Sequence, residues 1–125
     1  MKALIVMNHE LTEDQEKDLK NNWNITHIWV MSTVSKSIWR NIPPNMDKNE
    51  LKKHIKLITE KEIKGFNFII IAGELTACTI IIDAARRQNI RVLTATSQRE
   101  SVETVSPSGE TVKKSVFKHV RFREI

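Results

Sequence analysis

Short apolar runs alternate along this chain with stretches in which hydrophobic residues recur at helical spacing. Leu4-Ile5-Val6-Met7 is a continuous run of strand length, the pattern of a strand buried on both faces of a parallel sheet. A helix is predicted next. Thr12 and Gln15 make a capping-box pair, Glu13 and Asp14 suit the positive end of a helix dipole, and Leu11, Gln15, Leu19 and Trp23 share a helical face. The helix is expected to end near Asn21-Asn22. Ile25–Met31 reads as a second strand, and Ser35–Asn41 as a short helical turn stopped by Pro43-Pro44. From Asp47 as N-cap, Leu51, Ile55, Ile58 and Ile63 draw an apolar stripe up to Gly65, which supplies the stop. Phe66–Ala72 is the strongest strand. It leads through Gly73 into a helix that begins near Glu74, is apolar on most of its circumference and closes with Arg86 and Arg87. Ile90–Ala95 is a fourth strand. Beyond it, Val102 and Val105, the turn residues Ser106–Glu110, and Val112, Val116, Val120 and Phe122 read as an antiparallel hairpin.

Three strand-helix-strand alternations predict an α/β fold: a Rossmann-like, mostly parallel sheet with flanking helices and a C-terminal β-hairpin extension. The 125 residues fit one domain spanning residues 1–125. No apolar run is long enough for a membrane span, and the first strand is too short for a signal-peptide core. The lone Cys78 excludes an intrachain disulfide and suits a reducing compartment, so a cytoplasmic location is expected. Net charge is +5, concentrated in residues 111–125, where Lys113, Lys114, Lys118, Arg121 and Arg123 face Glu124 alone. Such a strip attracts phosphates, and equally serves as a solvated face that keeps the protein dispersed.

Ligands of open parallel sheets bind beyond the carboxyl ends of the strands, where strand order reverses. Three loops are nominated by that rule. Asn8-His9-Glu10 follows the first strand, and His9 is placed to act as a general acid or base. Gly73-Glu74-Leu75-Thr76 follows the third; Gly73 admits close backbone approach, and free N–H groups at the helix start suit a phosphate. Thr96-Ser97-Gln98-Arg99, read as a loop after the fourth strand, offers hydroxyls and a guanidinium to phosphate oxygens. A glycine-rich dinucleotide fingerprint and a phosphate loop with its lysine are both missing, which argues against nicotinamide and nucleoside-triphosphate chemistry. Glu10, Glu74, Glu100 and His9 match no metal-ligand spacing, and no cofactor is expected. Cys78, inside an apolar helix, is a poor nucleophile.

Four segments carry a resemblance: His9-Glu10-Leu11-Thr12 after the opening strand, Ile38–Pro44, Ala95–Arg99 through Glu103, and above all Val116–Arg123. Together they resemble the Csx family numbered twenty, spread over nearly the whole chain. That family is similar to the domains that sense cyclic oligoadenylate in type III CRISPR systems. The resemblance implies a homodimeric ring nuclease that binds cyclic tetra-adenylate and cuts it without metal, its two rims facing one ring across a two-fold axis. In this picture the ribose 2′-hydroxyl attacks the adjacent phosphate and leaves a 2′,3′-cyclic phosphate. Catalysis falls to His9 for the proton and Arg99 for the phosphate, with Asn8, Gly73, Glu74, Thr76, Thr96, Ser97, Gln98 and Lys118 binding the ligand. The chain departs from the family at Asn8, where serine is expected, and at Glu74-Leu75-Thr76, which replaces a more acidic, glycine-containing loop. Two rivals are a sensor module that binds the ring without cutting it, and a non-specific nucleic-acid-binding protein working through the basic tail.

Overall fold

The computed structural model describes residues 1–125 as an α/β protein built on a five-stranded sheet. Strands β1 (Lys2–Val6), β2 (His27–Val30), β3 (Phe68–Ile71), β4 (Arg91–Val105) and β5 (Thr111–Glu124) run in the order β2-β1-β3-β4-β5. The first four are mutually parallel, and β5 pairs antiparallel with β4. The sequence therefore reads correctly as a mostly parallel sheet with a C-terminal hairpin. No helix is long and apolar enough to cross a membrane.

Helices join the strands as crossovers. Helix α1 (Glu13–Trp23) carries the full capping box: the Thr12 hydroxyl accepts from the Gln15 backbone, and the Gln15 side chain accepts from the Thr12 N–H. It ends at Asn24 in the left-handed conformation, slightly later than its composition predicts. Helix α2 (Thr33–Arg40) is capped by Ser32, and α3 (Lys48–His54) by Asp47. The stripe Leu51, Ile55, Ile58, Ile63 is fully core, but the predicted continuous helix is interrupted after His54 and completed by a π-helical segment, Ile58–Glu62. The reason lies in the spacing. Ile58 and Ile63 are five apart, and the Ile63 N–H donates to the Ile58 carbonyl, so the wider turn lets both face inward. Helix α4 (Leu75–Arg87) follows β3.

Two apolar layers sandwich the sheet. Leu4, Val6, Ile69 and Ile71 pack against α2, α3, the π segment and α4 on one face. On the other, Ala3, Ile5, Phe68, Ile70, Leu93 and Phe122 pack against Leu19 of α1. The central strand β3 is buried along its whole length, which explains why it reads as an unbroken apolar run.

The hairpin corrects one expectation. Thr96-Ser97-Gln98-Arg99 is not a loop; it lies within β4, which runs on past the sheet as a two-stranded ribbon paired with β5 from Ser97 to Val105. Both faces of this ribbon meet solvent, so the apolar-polar alternation that marks a half-buried strand is lost and a polar stretch mimics a loop. At its base one extra residue, Val120, interrupts the register: Thr96 faces Arg121, and Ser97 faces His119.

Candidate functional site

Strand order reverses between β1 and β3, but the open space lies one strand over, toward β2. There the residues after β1 meet β2 and α2 in a cleft of about 330 Å³. Asn8, His9 and Glu10 line it together with Glu16 of α1 and Lys36 and Arg40 of α2. Its apolar wall comes from Met7, Leu11, Ile28 and Val30. His9, Lys36 and Arg40 are all exposed to solvent, and none of the chain's ion pairs includes either cation. Such a cleft offers an imidazole, two cations outside any ion pair, the carboxylates of Glu10 and Glu16, and an apolar surface.

Gly73, Glu74 and Thr76 lie outside this lining, and each has local work. Gly73 has φ +155°, and a Cβ there would stand 2.8 Å from the Trp39 indole. What approaches its backbone is therefore a side chain of the protein itself. The indole, almost fully buried, donates from Nε1 to the Ala72 carbonyl at 3.0 Å, tying α2 to the end of β3. The helix start after it is not free for phosphate, correcting the second expectation. Glu74 is its own N-cap: its carboxylate accepts from the backbone N–H groups of Thr76 at 3.0 Å and Ala77 at 2.8 Å. Those bonds, that from Ala77 first, hold the carboxyl below its ordinary range.

The third set sits on the ribbon and not in the cleft. The Thr96 hydroxyl donates to the Arg121 carbonyl at 2.8 Å, and the Arg99 guanidinium donates to the Ser115 hydroxyl at 3.1 and 2.8 Å. Lys118 faces Gln98 across the ladder, both exposed with Ser97. His9, Glu10, Glu74 and Glu100 form no group of three that could hold a metal ion.

Two features escaped the sequence. Lys36 and Arg40 are four apart on one helix, directly beyond a strand end, and that spacing was the available signal. The other is His119, whose Nε2 lies 2.8 Å from Asp18 Oδ2 with both side chains nearly buried, at 7% and 10% exposure. The same oxygen accepts from the Phe122 N–H at 3.0 Å, and Asn22 donates to Oδ1 at 2.8 Å. Burial alone raises the Asp18 pKa; bonds from Asn22, His119 and Phe122 outweigh it and leave the group below its ordinary value.

A sequence profile described as the Uncharacterized protein MJ1673 family matches residues 1–123. The chain belongs to that family. The protein Uncharacterized protein MJ1673 of Methanocaldococcus jannaschii is 27% identical over 124 residues, covering 98% of this chain and 95% of that one. The match thus takes in the cleft, the α1 face and the hairpin alike.

Proposed function

We propose that this protein is a ring nuclease: a homodimer that binds cyclic tetra-adenylate and opens it without a metal ion, lowering a messenger of type III CRISPR defence. The segments resembling the Csx family numbered twenty give the substrate. The observation that carries the reading is His9 in a cleft at the strand ends, beside two cations free of ion pairs. In the reaction the ribose 2′-oxygen bonds to phosphorus as its proton passes to a base. The bond from phosphorus to the 5′-oxygen breaks, and that oxygen takes a proton, giving a 2′,3′-cyclic phosphate and a 5′-hydroxyl. His9 is the group available to move the proton. Fixing the attacking oxygen in line supplies a proximity effect, and cations on the non-bridging oxygens stabilise developing charge.

Incubation with cyclic tetra-adenylate in excess chelator tests the reading. Linear products ending in 2′,3′-cyclic phosphate are expected. Tight binding with an intact ring would leave a sensor in place of an enzyme, and affinity that tracks salt but ignores ring closure would leave a general nucleic-acid binder.

A further inference from the structure

We infer that α2, not the Thr96–Arg99 segment, holds the phosphate: Lys36 and Arg40 grip it in the cleft, and the Trp39–Gly73 contact sets their position. The inference rests on the proposed function for the identity of its ligand and goes beyond it in assigning the phosphate group's partners. Lys36 and Arg40 stand one helical turn apart and both line the cleft that holds His9. Each is exposed and free of ion pairs, whereas Arg99 is engaged with Ser115 on a ribbon outside the cleft. A planar guanidinium beside an ammonium suits one phosphate group, with Arg binding in a bidentate manner and Lys as a point charge. Ile28 and Val30 present apolar surface to the same space, as the flat face of a purine requires. The ligand class is a nucleoside monophosphate unit, free or within a ring.

Trp39 lies between the two cations in sequence and points the other way, into the core. Its bond to the Ala72 carbonyl and its close fit over Gly73 leave α2 one position against β3. Gly73 thereby becomes a positioning residue. It touches no ligand.

The test titrates adenosine 5′-monophosphate and, separately, cyclic tetra-adenylate into the wild-type protein and into Lys36→Ala, Arg40→Ala and Arg99→Ala, with side-chain NMR as the readout. Lys36 and Arg40 are exposed, so their variants are expected to melt as wild type does. Expected are shifts at the Ile28 and Val30 methyls and the Arg40 side chain, and roughly a tenfold or greater loss of affinity in each α2 variant, as befits charged hydrogen bonds. Arg99→Ala is expected to bind as wild type. Unchanged affinity in Arg40→Ala, or a loss confined to Arg99→Ala, overturns the inference. Failure of the two readings is separable. A ring that binds through α2 and is not cut removes the reaction and keeps the site; a ring cut equally well by Lys36→Ala and Arg40→Ala removes the site and keeps the reaction.

Discussion

Replacing Asp18 by alanine should unfasten β5 from α1. One carboxylate holds three donors there: Asn22 Nδ2, His119 Nε2 and the Phe122 N–H. His119 Nδ1 is already buried without a partner, so removing the carboxylate strands both ring nitrogens together with a backbone N–H. An orphaned buried donor costs about 1–3 kcal/mol, and Asp18→Ala leaves two, the His119 ring N–H and the Phe122 N–H, so a loss of about 3–5 kcal/mol is expected. For a chain of this length that lowers Tm by roughly 10–20 °C. Urea denaturation and thermal melting, read in parallel, provide the assay. Asp18→Asn keeps one oxygen acceptor for the Phe122 N–H and should fall between. A loss in Asp18→Ala no larger than about 0.5 kcal/mol, the level of an ordinary surface substitution, would refute the reasoning. Acid should act in the same direction. Because the folded state depresses this carboxyl, its contribution is complete above the ordinary Asp range and drains away as pH falls below that range.

Gly73→Ala forces a Cβ into the indole at a backbone angle that suits glycine, and should destabilise by about 1–3 kcal/mol in thermal melts. Glu74→Ala removes the α4 cap and should cost about 0.5–2 kcal/mol; the wild-type cap weakens as pH falls below the ordinary Glu range, whereas stability of the variant stays flatter there. Cys78 is half-buried, and desolvation first, then the Glu74 charge, push its thiol up to about 11. Iodoacetamide at pH 8 should accordingly label it about 100-fold or more slowly than a free thiol, with denaturant restoring the normal rate. His9→Ala should slow ring opening by about 10²–10⁴-fold with no change in Tm, and an unaltered rate would dismiss His9 as the proton carrier.

Local signals were legible where a few neighbouring residues decide the outcome. Thr12 with Gln15 and Asp47 with Glu50 make their caps within one turn, and β3 announces its burial by composition. The stripe from Leu51 to Ile63 was visible as core, whereas the π turn was not, because a five-residue gap looks like an ordinary lapse in a helical repeat. Position 73 shows why loops read less well. Glycine after a strand has the same appearance whether a ligand or a tryptophan 34 positions earlier in the chain comes against it. Similarly, Glu74 occupies the donors that its own helix start seemed to offer. Of the cleft, the sequence yielded Asn8, His9 and Glu10, which a strand end presents directly; Lys36 and Arg40 needed the placement of α2.

Val120 governs which way the ribbon looks. Side chains three apart on a regular strand point to opposite sides, yet the His119 and Phe122 rings lie on one side, tilted against each other with centroids 4.9 Å apart, where His119 also reaches Asp18 of α1. The inserted residue makes that agreement. Its deletion would leave a smooth ladder in which either the imidazole abandons the helix or everything from Lys118 out to the turn rolls over, exchanging the side that bears Phe117 for the side that bears Val116. A single supernumerary residue therefore sets the handedness of presentation for the whole projecting limb.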